Sequence, residues 1–163
     1  MQIEMTIKGV LVDPVTNDPI IILRDKDGER VLPIWVGVHE ANAIGLQIEN
    51  VAPERPMTHD LLRDVIGSIG ADVVSVRVTE LRDRTFYAEL ELRLGDRTVR
   101  VSSRPSDAIA LAVRVDAPIY AAEAVLDEAA APQVEAEVEE EQQEEIVDQF
   151  REFIDQVNPE DFG

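Results

Sequence analysis

Cysteine is absent from this chain of 163 residues. That excludes a disulfide framework, a thiolate nucleophile and any cysteine-ligated zinc. It also suits a reducing compartment, so a cytoplasmic location is expected. Long apolar runs are missing as well. No stretch approaches the ~20 residues of a membrane span, and Met1-Gln2-Ile3-Glu4 shows no basic segment followed by an apolar one, so neither a membrane protein nor an export signal is expected. Several catalytic signatures are lacking: there is no G-x-S-x-G elbow, no Walker-type phosphate loop, no G-x-G-x-x-G and no H-E-x-x-H. The carboxylate-carboxylate-lysine pattern of many nucleases is missing too, because Arg93 follows Glu89 and Glu91 where lysine would stand. Basic residues are scarce, with 15 Lys plus Arg against 34 Asp plus Glu and a formal charge of −19. No Lys/Arg run exists to serve as an ordinary nucleic-acid footprint.

What is present is a core and an appendage. Apolar residues make up 45% of the chain, enough for one domain of ordinary size. Residues 1–126 carry 14 basic and 20 acidic side chains, a net of −6, whereas residues 127–163 carry Arg151 against 14 acids, a net of −13. Most of the charge therefore belongs to the last 37 residues. Composition makes 129–132 a linker and 134–145 an acidic run. Ile146, Phe150, Phe153, Ile154 and Val157 then recur at helical spacing, an amphipathic segment suited to packing within an oligomer or against a partner.

Along the core, residues 3–12 alternate loosely and read as a strand, and 20–23 and 30–36 read as a hairpin with Gly28 at a positive-φ turn position. The Asp25 and Asp27 pair suits turn chemistry rather than calcium, since the remaining ligands are missing. Ala41, Ile44 and Ile48 place a helix after Val38. A second helix starts at Thr58 as N-cap, with Met57 and Leu62 as a hydrophobic staple, a core-facing stripe of Leu61, Leu62, Val65, Ile66 and Ile69, and Gly70 as its stop. A meander over 73–81, 86–94 and 98–102 follows, its first strand turning residues 74, 76 and 78 to one face. A short apolar helix over 105–115 comes next, then a brief extended piece at 118–120 and a last helical turn or two within 121–130.

An internal repeat organises these elements. An offset of 65 places Ala41-Asn42-Ala43-Ile44-Gly45-Leu46 over Ser106-Asp107-Ala108-Ile109-Ala110-Leu111 and Ala52-Pro53 over Ala117-Pro118. Upstream, Gly28-Glu29-Arg30 meets Gly95-Asp96-Arg97 two residues out of step. The expected fold class is α+β: duplicated β-hairpin/strand-helix units whose mainly antiparallel sheet packs against short helices.

Polar residues gather at the helix starts. Helix N-termini bind anions, and Arg55 and Arg104, each just before a proline, can hold phosphate there. Glu40, Asp60 and Asp107 can hold Mg²⁺ or Mn²⁺ through carboxylate oxygens, or can simply be first-turn acids. His39 and His59 are the only histidines and so the only ordinary general-base candidates near neutrality.

The motifs Leu32-Pro33-Ile34-Trp35-Val36-Gly37 with Glu40-Ala41, Arg55-Pro56-Met57-Thr58-His59-Asp60-Leu61, and Ser103-Arg104-Pro105-Ser106-Asp107-Ala108-Ile109-Ala110-Leu111-Ala112 resemble, in that order, the bifunctional nuclease domain family. The resemblance covers roughly residues 3 to 126, and the acidic extension is similar to that of actinobacterial members. It implies a compact α+β domain of duplicated units, commonly a homo-oligomer, with nuclease activity on DNA and RNA assigned to plant relatives. It also implies Glu40, His59, Asp60 and Asp107 as catalytic candidates beside Arg104 and Ser106. Two functions follow as expectations. One is a nuclease hydrolysing phosphodiester bonds with metal assistance. The other is a non-enzymatic oligomeric binding or regulatory module whose helix starts merely cap and whose C-terminal helix serves partner or self-association.

Overall fold

Two three-stranded meanders, each followed by an eleven-residue helix, build the computed structural model, which describes residues 1–28 and 30–132. The first consists of β1 (Gln2–Val12), β2 (Pro19–Asp25), β3 (Arg30–Trp35) and α1 (Val38–Ile48). A helix α2 (Thr58–Ser68) leads to the second, β4 (Ala71–Arg82), β5 (Thr85–Leu94), β6 (Arg97–Ser103) and α3 (Pro105–Val115). The described chain ends with β7 (Ile119–Ala122), α4 (Glu123–Ala129) and β8 (Ala131–Pro132).

The strands form one sheet in the order β6-β5-β4-β7-β1-β2-β3-β8. Every pair is antiparallel except β4 with β7, so the architecture is α+β with a mainly antiparallel sheet. β7 slots between the two meanders and joins them through main-chain bonds to β1 and β4. α3 sits centrally among the helices, against α1, α2, β4 and β5. Its sequence explains the place: Ala108, Ile109, Ala110, Leu111 and Ala112 are all essentially buried, and a face of small residues lets neighbouring elements approach closely. With Ile21, Leu23, Leu32, Ile34, Ile44, Val76 and Val78 they form the main core.

Local chemistry explains most boundaries. Gly28 has φ 81°, Asp25 Oδ1 accepts the Asp27 amide at 3.0 Å, and Arg30 reaches Asp25, so that acidic pair does serve the turn. Gly70 follows α2 at φ 80°.

Several expectations need correcting. Helices α1 and α3 begin at 38 and 105, which sets their bounds at an offset of 67, in step with the Gly28/Gly95 match. At that register the buried run Ala41–Gly45 falls on the buried run Ala108–Ala112, and Glu40 falls on Asp107. The slip to 65 arises after the helices, at the Ala-Pro pairs. In β4, bulges at Val73/Ser75 and Val78/Glu80 break the alternation, so Val74 is exposed and Ser75 buried. For α2 the cap is Met57, with Thr58 already inside the helix, and the main-chain N–H of Met57 donates to Asp60 Oδ2 at 2.9 Å. Only Ile66 of its apolar stripe is buried and Leu62 partly so, while Leu61, Val65 and Ile69 are exposed. The helix is rotated because His59 and Asp60 face α3 and bond it there. Finally, the helical turns expected within 121–130 are α4, whereas the expected linker 129–132 instead holds the end of α4 and the strand β8 paired with β3. The acidic run and the apolar stripe after it lie outside the described residues.

Candidate active site

Three helix starts meet on α3, and their polar side chains form two networks, each organised by one arginine. In the outer network Arg104, the residue before the first turn of α3, donates from Nη2 to Glu40 Oε1 at 2.6 Å and from Nε to Asp107 Oδ2 at 3.0 Å. Asp107 Oδ1 lies 2.8 Å from His59 Nε2. The chain of contacts Glu40, Arg104, Asp107, His59 thus crosses from α1 through α3 to α2. Side-chain exposure peaks within it, at 64% for Arg104, and falls toward both ends, to 16% at Glu40 and 10% at His59.

Gly37 is a local requirement of this arrangement. A Cβ at that position would collide with the Glu40 carboxylate, which folds back over the helix start. Burial by itself would raise the Glu40 carboxyl. The hydrogen bond from Arg104, a bond from its own main-chain N–H and the Arg104 charge outweigh that effect and hold it below the usual carboxylate range. Reciprocally, Glu40 and then Asp107 hold the Arg104 guanidinium above its ordinary value.

The inner network is almost dry. Arg114, with a side chain 3% exposed, donates from Nε to Asp60 Oδ1 at 2.8 Å, from Nη1 to the Ala110 carbonyl at 2.8 Å and from Nη2 to the Ala43 carbonyl at 2.9 Å. Burial would raise the Asp60 carboxyl, but the Met57 amide and the bond and charge of Arg114 outweigh it, and the carboxyl lies below its ordinary value. Both Asp60 oxygens are thereby engaged inside the protein.

The positions expected from sequence divide accordingly. Glu40, His59, Asp107 and Arg104 come together. Asp60 adjoins them in sequence but belongs to the inner network. Ser106 is buried in the first turn of α3, and Arg55 stands exposed in the connection before α2, outside both networks. His39 is exposed on α1. The trio named for Mg²⁺ or Mn²⁺ does not fit a divalent ion in this arrangement. Asp60 is turned to Arg114, the Arg104 guanidinium stands between Glu40 and Asp107, and no group of three His, Asp or Glu able to hold a metal occurs among the described residues. Sequence reasoning missed Arg114. Its only signal was a single base near the end of an otherwise apolar helix, seven residues after Asp107 and so on nearly the same side.

Chemically the outer network offers an imidazole oriented by a carboxylate next to an exposed guanidinium. With Asp107 ionised, Nε2–H donates to it and Nδ1 is left to accept a proton. With neutral His59 the four side chains sum to −1, so the site is not a ready anion trap.

An α+β domain with an acid–histidine–arginine network at converging helix starts is the class that fold and site define. The bifunctional nuclease domain matches residues 21–134, and the chain belongs to that family. An uncharacterised protein of Mycobacterium tuberculosis is 43% identical over 162 residues, covering 98% of this chain and 97% of the relative. Bifunctional nuclease 2 of Oryza sativa subsp. japonica is 37% identical over 105 residues, 62% of this chain and 32% of the plant protein. Bifunctional nuclease 2 of Arabidopsis thaliana is 37% identical over 103 residues, 61% and 31% respectively. Among the described residues no helix is long and apolar enough to cross a membrane.

Proposed function

We propose that this chain hydrolyses phosphodiester bonds in DNA and RNA, using His59 as general base, Asp107 as the group that orients it and Arg104 as the cation facing the phosphate. The observation that carries the reading is the 2.8 Å contact between His59 Nε2 and Asp107 Oδ1, made across two helices, with Arg104 3.0 Å from the other oxygen of the same carboxylate. The names of the plant relatives support it.

In this reading His59 Nδ1 removes a proton from water as the water oxygen attacks phosphorus. The P–O bond to the leaving sugar oxygen breaks, and that oxygen takes a proton from solvent, leaving a phosphate monoester and a hydroxyl. Arg104 stabilises the charge on the non-bridging oxygens. Glu40 tunes Arg104 by holding it in place and partly neutralising it.

Full-length protein assayed on single-stranded DNA and RNA at low salt tests the proposal, with and without Mg²⁺, Mn²⁺ and a chelator. His59→Gln and Asp107→Asn should each lower kcat by roughly a hundredfold. Activity that both variants retain in full would refute the assignment. Dependence on added metal would require Arg104 to leave its place between Glu40 and Asp107.

A second reading, an oligomeric binding module, is favoured by one separate observation. Leu61 and Val65 on α2 and Ile69 at its C-terminal cap form an outward stripe, each about half or more exposed, at 56%, 49% and 62%. Sedimentation of a Leu61→Glu, Val65→Glu variant beside the parent tests it, and an unchanged molecular mass at every concentration would remove this support.

A further inference from the structure

We infer that Arg114 is a positioning residue for the His59–Asp107 pair, fixing how the first turn of α2 lies on α3. The inference deepens the dyad reading above and rests on it.

The geometry is a two-point attachment. Asp107 and Arg114 are seven residues apart on α3, which brings them to nearly the same side about two turns apart. His59 and Asp60 are adjacent in the first turn of α2. His59 meets Asp107 at 2.8 Å while Asp60 meets Arg114 at 2.8 Å, so consecutive residues of one helix engage the other at two separated points. One contact would leave α2 free to pivot. Two set both its position and its rotation, and the rotation explains why Leu61 and Val65 face outward.

Arg114 also reaches the third helix, through the Ala43 carbonyl, three residues beyond Glu40. Its Nε, Nη1 and Nη2 each have a different acceptor, on α2, α3 and α1 in turn. A planar guanidinium can hold three such directions at once, whereas an ammonium group is a single point charge on a flexible stem. Stability alone does not account for a charge pair here, because replacing a buried ion pair by groups that leave no charge behind is often neutral or favourable. A fixed arrangement of α1, α2 and α3 does account for it.

The test uses the full chain carrying His39→Gln, which leaves His59 as the one histidine, and compares Arg114→Lys with the double variant Asp60→Asn, Arg114→Met. The double variant strands no buried charge, and its Asn can still accept the Met57 amide. ¹⁵N NMR of the His59 ring reads the tautomer held by Asp107. Expected is a parent with two well-separated ring-nitrogen shifts that converge toward averaged values in the double variant, and partly so in Arg114→Lys. On single-stranded DNA, kcat should fall by about 100-fold, as misplacement of a catalytic group does, with KM within about twofold of the parent, and it should be unchanged in Arg93→Ala, which breaks only an exposed pair with Asp72. Folded variants whose His59 nitrogen shifts match the parent's overturn the inference. If no form of the chain hydrolyses nucleic acid but the shifts still converge, the nuclease reading falls and the positioning role stands.

Discussion

Arg104 and Arg114 stand near opposite ends of α3 and both hold carboxylates, yet the side chain of one is 64% exposed and that of the other 3%. The difference separates two uses of the same chemistry. Arg104 is within reach of solvent and of a ligand, bridges two acids, and sums with them and neutral His59 to a net negative site. Its ion pairs are screened and contribute little to stability. Arg114 has traded hydration for three directed hydrogen bonds, so losing it leaves Asp60 charged, buried and without its main partner. The outer arginine is open to solvent. The inner one is placed to keep three helix starts where they are.

Each prediction follows from that contrast. The largest effect belongs to Arg114→Met, which should cost about 3–5 kcal/mol because it strands a buried charge. Denaturant unfolding measures it, and a loss below about 1 kcal/mol would erase the distinction between the two arginines. Next comes Arg104→Ala, expected to change stability by no more than about 1 kcal/mol while lowering kcat/KM for nucleic acid about tenfold or more, as for loss of a charged contact at the phosphate. Parallel unfolding and hydrolysis measurements check both halves.

Acid provides the third. Asp60 and Glu40 lie below their ordinary values of 3.8 and 4.5 in the folded chain. The unfolded chain therefore binds protons first, and their stabilising contribution is complete above those ordinary values and disappears as pH falls through the lower folded ones. Unfolding curves recorded below about pH 4 should fall less steeply for Asp60→Asn than for the parent. Equal slopes would mean that the Met57 amide and Arg114 do not hold Asp60 in solution. The smallest effect is that of Gly37→Ala, which displaces only the flexible end of Glu40. Stability should stay within about 0.5 kcal/mol, while release of Arg104 from Glu40 should lower KM, read from hydrolysis at low salt.

Much of the fold was legible in the order of residues. Gly28 at its turn, α3 over residues 105–115, the three-stranded meander after α2 and the α+β class follow from turn chemistry and from alternating or helical spacing, which are local properties. The rotation of α2 was not legible. Leu61, Val65 and Ile69 looked like a core stripe because hydrophobicity was the only signal available, whereas the contact of His59 with Asp107, 48 positions away, and the hydrogen bond that Asp60 accepts from Arg114, 54 positions away, decided the face. The bulge that buries Ser75 and exposes Val74 depends likewise on the register with β5. In the site, Glu40, His59, Arg104 and Asp107 were nameable as polar residues at helix starts. Their division from Asp60 was not, because a first-turn acid looks the same whether its partner is a metal, a main-chain amide or an arginine from another helix.

Sequence by itself determined that this chain cannot use thiol chemistry, that its negative charge is concentrated after residue 126, that its core is α+β, and which few side chains have chemistry to offer. These follow from composition and from contacts a few residues apart. Tertiary structure alone decided that Asp107 holds His59, that Arg104 stands between two carboxylates, and that Arg114, which no motif marks, locks three helices together. Such choices rest on distances between residues far apart in the chain, and only packing settles those distances.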